Sequence, residues 1–359
     1  MPINANFSRR SALKLGAGAA AASFLGFNAF GDVISDAKII PSTEMTKGVA
    51  KSGKLRIGFS NGFSGNGWRT MNLRAMQIEA AANAAKYELI TVDGQGDIAK
   101  QVNDIEDLIA QNVDALLIIA NSSSAVVPAV RKAVKAGVMT VPFNLPVDGE
   151  EWHAFIGTDP VKKGGTTGKY LNDALGGKGK IVALGGLPGN SYTAGCWKGA
   201  KENFGPGIEV LAFKDASWEE DKAKVVMADL IAAYPQIDGI WADGGQDAVG
   251  GLKALVAAGR PLVPCVGDDY NGLLKMYDED KDKNPQFKFG AVSEPSWEGI
   301  VALRTAHKLL SGESAPKRQI IQPIVIDGSN YQKFIKRNLP DGVFVDTTLS
   351  DDELKKLFS

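Results

Sequence analysis

Hydrophobic and polar positions follow two alternating periods along most of the chain. Residues 54–69 read KLRIGFSNGFSGNGWR, and Leu55, Ile57 and Phe59 occupy alternate positions in this stretch. A period of two indicates a strand, and the Ser, Asn and Gly residues that follow end it before a helical pattern begins at Trp68. A strand that passes through small polar residues into a helix is where open α/β sheets bind ligands.

The same alternation continues to about residue 326 and predicts two rounds of strand and helix. The first round has predicted strands at 87–92, 115–120 and 138–143 and predicted helices at 71–86, 98–111 and 125–136. A short stretch at 154–157 and a helix at 160–175 lead into the second round. That round has predicted strands at 181–184, 208–213, 239–242, 262–266, 288–292 and 320–326. Its predicted helices are at 194–204, 218–234, 248–258 and 300–310, with one more that ends at about 277. A short helix is predicted near Leu354 in a polar tail.

Repeated strand–helix units of this kind require parallel sheets with right-handed crossings. The sequence therefore predicts an α/β fold with two Rossmann-like lobes, each with a parallel central sheet, joined by a hinge. No long flexible linker separates the rounds, so we expect several short crossings between the lobes. We assign 53–150 and 295–322 to the N-terminal lobe, and 151–294 and 323–359 to the C-terminal lobe.

The first residues have the composition of an export signal. Residues 8–14 read SRRSALK and precede an apolar, Ala- and Gly-rich run at 15–27, which is too short to span a bilayer. The Arg9–Arg10 pair resembles a twin-arginine signal, which exports folded proteins. A buried N-terminal helix is the alternative, but glycine is a poor helix former. We expect a signal peptide at 1–29, a flexible lead-in at 30–52 and a periplasmic mature protein.

Composition excludes several classes of function. The chain has 359 residues and a formal net charge of -1, so it has no broad basic field to hold nucleic acid. Its two cysteines, Cys196 and Cys265, lack metal-ligand spacing and are either one disulfide or two buried thiols. The two histidines, His153 and His307, are far apart in sequence, which disfavours a histidine metal site or a Ser-His triad.

Motif searches disfavour an enzyme or a cofactor site. Gly94, Gly96 and Ala99 match the G-x-G-x-x-A dinucleotide pattern, but they follow the second strand of the round instead of the first. No phosphate-binding P-loop and no G-x-S-x-G nucleophile elbow occurs. The acidic run that begins at Asp278 lacks the glycine and the terminal glutamate of a calcium loop. We expect neither catalysis, nor a cofactor, nor a bound metal.

Polar side chains follow the predicted strands in both rounds, at the edge where such sheets bind ligands. They are Asn61, Asp93, Asn121 and Asn144 in the first round, and Asn190, Trp218, Asp243, Asp269 and Glu294 in the second. Turns favour Asn and Asp in any case, which explains single members but not a set that converges on one cleft. Carboxylates and amides can hydrogen-bond to neighbouring hydroxyls. The sequence therefore predicts a site for a hydroxyl-rich small molecule.

Aromatic and basic residues near these strand ends add to the candidate site. Trp68, Trp218 and Trp297 have faces on which a sugar ring can stack, although each is equally suited to a core. Arg69 is costly to bury without a partner, so it is either a ligand contact or a solvated residue. The glycines around Asn66 leave room for Asn66, Trp68 and Arg69 to reach a ligand between the lobes.

In these segments the chain resembles the periplasmic solute-binding proteins of sugar ABC importers, in the ribose-binding class, over about residues 53–326. The resemblance lies in the order of GFSNGFSGNGWR, ITVDGQGD, LLIIANSSS, IVALGGLPGNS, DGIWADGGQDAVGGLKAL, VPCVGDDYN and GAVSEPSWEGI. The first segment is similar to the galactofuranose-binding branch. The resemblance implies a type I periplasmic binding protein fold and ligand contacts at Trp68, Arg69, Asp93, Gln95, Asn121, Trp218, Asp269 and Glu294.

The chain departs from the family pattern at three places. Asn144 and Leu145 stand where the family often has Asp-Arg, and Cys196 stands at the position of a cleft arginine. Gly244 and Gly245 replace an Asn-Asp pair, which leaves Asp243 and Gln246 as nearby substitutes. These changes affect which sugar is bound and leave the class of ligand unchanged.

The resemblance implies a monomer that binds a monosaccharide or related polyol and delivers it to an ABC permease with its ATPase. It implies neither nucleic-acid binding nor chemistry on the ligand. A sensor that presents its ligand to a chemoreceptor or sensor kinase stays open as the alternative. A transcription regulator of this fold would need a helix-turn-helix ahead of the first lobe, where this chain has the export pattern.

Overall fold

The computed structural model of the protein describes residue 34 and residues 39–359. The predicted signal peptide at 1–29 and the first part of the predicted lead-in lie outside the described residues. Within the described part of the chain, no helix combines the length and apolar character needed to cross a bilayer.

Strands and helices alternate along the described chain as the sequence predicts. The order begins with β1 (Ile39–Pro41), β2 (Met45–Thr46), β3 (Leu55–Asn61), α1 (Gly67–Ala82), β4 (Tyr87–Asp93), α2 (Ile98–Ala110), β5 (Ala115–Ile119), α3 (Val127–Lys135), β6 (Met139–Pro142), β7 (Phe155–Gly157), α4 (Pro160–Ala174) and β8 (Lys178–Gly185). It continues with α5 (Ser191–Glu202), β9 (Gly207–Asp215), α6 (Glu220–Ala233), β10 (Gly239–Ala242), α7 (Gly245–Ala257), β11 (Cys265–Gly267), α8 (Asn271–Asp280), β12 (Phe289–Val292), α9 (Glu298–Leu310), β13 (Ala315–Pro316), β14 (Arg318–Ile321), β15 (Val325–Asp327) and α10 (Asp351–Leu357).

The first lobe is built on a four-stranded parallel sheet of order β4-β3-β5-β6. Its central strand β5 is buried along its whole length, as expected when helices cover both faces of a sheet. Strand β7 pairs with β14, and Ile156 bridges to Phe143 at the end of β6. We therefore propose that the chain first crosses between the lobes after Gly157. The boundary predicted from the sequence, at residue 150, lies earlier in the chain.

The second lobe is built on a six-stranded sheet of order β15-β12-β11-β10-β8-β9. Five of its strands pair in parallel, and β15 joins one edge in the antiparallel direction. Two parallel sheets with alternating helices confirm the predicted α/β class.

The closing strand predicted at 320–326 is wrong as a single element. The chain there forms two strands, β14 and β15, which belong to different sheets. Pro323 lies between them and has no backbone N–H for a ladder. The break at this proline carries the chain from one lobe to the other.

Residues 39–51, predicted as part of a flexible lead-in, are instead hydrogen-bonded to the first lobe. Strand β1 pairs with β14, and β2 pairs with β13. The Val49 amide donates to the Leu309 carbonyl at 2.8 Å. Strands of two or three residues are too short to show a period in sequence, which is why the pattern gave no sign of them.

The polar tail forms a C-terminal strap, residues 328–358, that contacts both lobes. On the second lobe, Lys275 pairs with Asp341 at 2.6 Å. On the first lobe, Arg74 of α1 pairs with Glu353 of α10 at 2.8 Å. The core side of the strap includes the buried Phe344. Helix α10 confirms the short helix predicted near Leu354.

Two close contacts between helices position the polar side chains described below. Helices α4 and α5 approach so closely that a Cβ atom on Gly164 would lie 1.8 Å from the Cys196 carbonyl oxygen. In the first lobe, Arg304 of α9 forms a bidentate ion pair with Glu79 of α1, at 2.8 and 3.1 Å. Both side chains are buried, so this pair joins an early helix to a late one inside the core.

Candidate ligand-binding site

The strand ends of the two lobes face each other across a polar cleft. The Asn190 amide nitrogen donates to the Asn121 backbone carbonyl at 3.4 Å. The Asn144 amide nitrogen donates to Glu294 Oε1 at 2.8 Å. Four strand-end residues predicted for the site therefore form the contacts between the lobes.

Glu294 is the centre of a hydrogen-bond network in this cleft. In addition to Asn144, its carboxylate accepts from the Tyr192 hydroxyl at 2.5 Å and from Lys163 Nζ at 3.1 Å. The Trp68 indole nitrogen donates to its backbone carbonyl at 2.8 Å. Because α1 supplies Trp68 and helices α4 and α5 supply Lys163 and Tyr192, elements of both lobes meet at this residue.

Lys163 is a buried cation between two carboxylates. Its Nζ lies 2.5 Å from Asp268 Oδ1 and 3.1 Å from Glu294 Oε2. Burial opposes the charged form, but Asp268, Tyr192 and Glu294 together keep the pKa of Lys163 well above its usual value. The residue therefore stays an ammonium and neutralises part of the acidic charge of the cleft.

Arg69 provides the second buried cation. Its Nη1 donates to Asn61 Oδ1 at 3.1 Å, and the guanidinium lies 5.4 Å from the centre of the Trp68 ring. Burial lowers the pKa of Arg69 to about 9, and the charges of Glu298, Asp93 and Glu294 act in the opposite direction. Arg69 is thus charged at neutral pH, and the nearby acidic residues favour that charge. Both properties are compatible with a ligand contact, which is one of the two alternatives that the sequence leaves open for this residue.

A second group of polar side chains surrounds Asp243 at the end of β10. Asp243 Oδ2 accepts from the Thr193 hydroxyl at 2.6 Å and from the Trp218 indole at 3.2 Å. Gln246 Nε2 donates to the Trp218 carbonyl at 3.2 Å. Asp243 Oδ1 and Gln246 Oε1 are buried and have no hydrogen-bond partner. Trp218 has a φ of 55°, and such left-handed backbone in a bulky residue is often found at functional sites.

Asn121 and Asn190 serve partly as backbone supports. The Asn121 amide nitrogen donates to the Gly62 carbonyl at 2.6 Å, while its Oδ1 has no partner. Asn190 caps α5, because its Oδ1 accepts from the Tyr192 amide at 2.9 Å. These bonds fix both side chains at the lobe boundary.

Four predicted contacts lie apart from this network. Asn66 caps α1 by accepting from the Arg69 amide, and Gln95 is exposed in a turn with a φ of 56°. Asp93 is half-buried and accepts from the Ser64 hydroxyl and the Gln95 amide. The Trp297 indole donates to Asp346 at 2.9 Å. In each case the side chain is occupied by local structure or faces solvent.

Asp269 connects backbone segments, and its neighbour Asp268 faces the cleft. Asp269 accepts from the backbone amides of Glu294 at 2.9 Å and Asp346 at 2.7 Å. Burial, then the charge of Asp346, raises the pKa of Asp269 to about 7. Successive side chains of an extended segment point to opposite sides. A shift of one residue in the predicted register of this segment therefore exchanges the positions of Asp268 and Asp269.

Several residues of the network were missed by sequence reasoning, namely Lys163, Asp268, Tyr192, Thr158, Thr193 and Glu298. Lys163 had a readable signal, since it shares the buried face of α4 with Thr167 and Leu171 at helical spacing. A lysine on a buried stripe needs a carboxylate partner. Thr158 and Asp268 directly follow strands β7 and β11, and the other three lie in the first turns of helices, so none of them shows a period.

The structure distinguishes between the two alternatives for the cysteines. Cys196 and Cys265 are both buried and free, so the thiol alternative is the one found. Burial raises the pKa of Cys196 well above its usual value, with Asp243 next in effect. Among the described residues, no group of three or more His, Cys, Asp or Glu side chains is placed to hold a metal ion.

The ligand-free protein should be more stable at mildly acidic pH than at alkaline pH. Burial raises the pKa of Asp243, Asp268, Asp269 and Glu298 in the folded chain. A carboxyl group with a raised folded pKa contributes stability that is complete below about pH 4 and is lost as the pH rises through the folded value. We expect a higher melting temperature at about pH 5.5 than at about pH 8, measured calorimetrically without ligand. A melting temperature that falls steadily towards acid would contradict this electrostatic description.

Comparisons with known proteins point in one direction. The family model described as "Periplasmic binding protein domain" matches residues 57–314. The ribose import binding protein RbsB of Bacillus subtilis (strain 168) is 29% identical over 245 residues, which are 67% of this chain and 77% of that protein. The xylitol-binding protein of Mycolicibacterium smegmatis is 32% identical over 195 residues, which are 54% of this chain and 56% of that protein.

Among solved structures, the fructose binding periplasmic domain of a hybrid two component system superposes with a TM-score of 0.71 at 25% identity. The match covers 78% of this chain and 92% of that domain.

Proposed function

Because the chain belongs to the sugar-binding type I periplasmic binding proteins, we propose that it is the extracytoplasmic binding component of an ABC importer. The proposed ligand is a monosaccharide or a related polyol. The names of the relatives support this class, since one is a ribose import binding protein and another a xylitol-binding protein.

The observation that carries the proposal is the set of buried oxygen atoms at the lobe boundary. Asn121 Oδ1, Asp243 Oδ1 and Gln246 Oε1 are buried without partners. An unpaired buried acceptor is costly, and hydroxyl groups of a ligand are suitable donors. The Trp218 ring beside Asp243 offers an apolar face to the carbon skeleton of such a ligand.

Binding is proposed to act through closure of the lobes, with no chemistry on the ligand. A ligand that contacts both lobes favours the closed state by its differential affinity. Asn121 and Arg69 belong to the first lobe, whereas Asp243 and Gln246 belong to the second. A monomer whose closed lobes present one surface to a membrane permease with its ATPase then suffices for delivery.

The location of the protein follows from the same proposal. The SRRSALK segment at 8–14 and the apolar run after it are proposed to be a twin-arginine signal, removed near residue 29. The mature chain would then work in the periplasm, which agrees with the description of the matching family model as a periplasmic binding protein domain.

A thermal-shift screen over pentoses, hexoses, furanoses and polyols tests the proposed function. The correct ligand at about 100 times its Kd should add about 2.7 kcal/mol to the free energy of unfolding. Calorimetric titration of the responding compounds then gives the affinity. No response to any of these compounds, together with a response to amino acids or nucleotides, would exclude the sugar or polyol assignment.

A sensor that presents its ligand to a chemoreceptor or sensor kinase is the second candidate. The similarity to the periplasmic domain of a hybrid two component system favours it. Uptake of radiolabelled ligand by cells with and without the gene separates the two roles. Loss of uptake supports import, and normal uptake with a lost transcriptional or chemotactic response supports sensing.

A further inference from the structure

We propose that the ligand carries a protonated amine beside its hydroxyl groups, as in an amino sugar or amino polyol, and that Asp243 binds this amine. The inference rests on the proposed function, because it assigns a chemical class to the ligand of the same cleft. It is carried by the charge balance of the cleft and by an open oxygen of Asp243.

Buried carboxylates outnumber buried cations in the cleft. Each of these acidic residues is at most 6% exposed, and the set is Asp243, Asp247, Asp268, Glu294 and Glu298. The cations are Lys163 and Arg69, each 4% exposed. Buried charges in proteins are normally paired. With five acids against two bases, burial raises the pKa of Asp243, Asp247, Asp268 and Glu298, so a further cation in the cleft would favour their charged forms.

Two of the five carboxylates have a cation in contact. Asp268 and Glu294 share Lys163. Glu298 opens α9 and is the strongest of the charges that favour the charged form of Arg69. Asp247 lies in the first turn of α7. The positive end of a helix favours a carboxylate in its first turn, which applies to both Glu298 and Asp247.

Asp243 also has no cation in contact, and unlike Asp247 and Glu298 it does not lie in the first turn of a helix. Its Oδ2 is occupied by the neutral donors of Thr193 and Trp218, and its Oδ1 has no partner. Its neighbour Cys196 is a buried free thiol, and burial raises the pKa of that thiol so that it stays neutral. The open oxygen therefore needs a donor from outside the chain, and a charged donor would balance it best.

The surroundings of Asp243 favour an organic ammonium over a metal ion. In the described chain no three acidic, histidine or cysteine side chains are arranged as metal ligands. An ammonium has three donors. Asp243 and Gln246 both hydrogen-bond to Trp218, and Gln246 Oε1 is open like Asp243 Oδ1. The indole of Trp218, held against Asp243, adds an aromatic group with which cations interact favourably.

Matched ligand pairs that differ by one substituent test the inference. Galactose and galactosamine, glucose and glucosamine, and an inositol and its amino analogue are titrated calorimetrically into the full mature chain at neutral pH. We expect at least one amine to bind about tenfold more tightly than its hydroxyl counterpart, because a hydrogen bond between charged groups is the stronger kind. Asp243→Asn should remove most of this preference, because it lowers the affinity for the amine by a larger factor than the affinity for the hydroxyl counterpart.

Asp229→Asn is the matched control, because Asp229 is exposed on α6 and the chemical change is the same. This control should keep the full preference for the amine. A melting curve without ligand shows whether Asp243→Asn is folded, and the wild-type ligand pairs decide the question even if it is not.

Equal or tighter binding of the hydroxyl member overturns the amine inference and leaves the proposed function standing. An equal loss for both members in Asp243→Asn shows that Asp243 binds a hydroxyl and also overturns it. No binding of any sugar or polyol, with or without an amine, overturns the proposed function itself.

Discussion

Lys163→Met is expected to lower the free energy of unfolding by about 3–5 kcal/mol at neutral pH. The substitution leaves Asp268 and Glu294 buried with no ammonium between them, although Lys163 Nζ lies within 3.1 Å of both carboxylates in the native protein. Methionine fills a similar volume, so the loss is electrostatic and does not come from a cavity. Urea unfolding followed by circular dichroism measures the change.

The pH dependence distinguishes this cause from a packing defect. Burial already raises the pKa of Asp268, and removing the cation raises it further, so part of the lost stability should return as the pH falls and Asp268 takes up a proton. Lys162→Met is the control on the same helix, because the Lys162 side chain is 76% exposed and its nearest ion-pair partner is 3.8 Å away. We expect that control to stay within about 0.5 kcal/mol of the wild type. A Lys163→Met loss that does not change with pH would show that packing is its cause.

Arg304→Met should be comparably destabilising, by about 3–5 kcal/mol, because it strands the Glu79 carboxylate in the core of the first lobe. Both side chains of this pair are buried, and they meet through two hydrogen bonds. The double variant Glu79→Leu with Arg304→Met removes both charges and should recover most of the loss, since apolar residues often replace a buried ion pair without cost.

Chemical denaturation of the two single variants and the double variant gives the coupling between the residues. Ligand affinity is a second measurement. It reports on the cleft around Asp243 in the second lobe, whereas this ion pair lies at a distance from Asp243, in the first lobe. A double variant as unstable as Arg304→Met alone would show that the loss comes from the changed shape of the side chain and not from the stranded charge.

The period of hydrophobic positions and the polar residues at strand ends predicted most of the architecture from the sequence. Strand β3 and helix α1 follow from the residue pattern between Leu55 and Ala82. Asn144 and Glu294, predicted from two distant strand ends, are hydrogen-bonded to each other. Such predictions succeed because parallel sheets bring the carboxyl ends of their strands to one edge.

The remaining details depend on tertiary packing that local patterns do not encode. Which of Asp268 and Asp269 faces the cleft depends on a one-residue register at the end of β11. Lys163 becomes part of the network only because Gly164 lets α4 and α5 approach closely. The short strands at 39–41 and 45–46 exist because β13 and β14 offer them an edge. Each of these three details forms only when a segment that is distant in sequence is in place.

The C-terminal strap has a consequence for the order of synthesis on the ribosome. Met71 of α1 accepts from the Phe344 amide 273 positions later, and Arg74 pairs with Glu353 279 positions later. The first lobe therefore emerges with this face of α1 uncovered and remains so until nearly the whole described chain has been made. Because exposed apolar surface on a nascent chain promotes aggregation, we expect truncated or stalled translation products to depend on chaperones far more than the finished protein does.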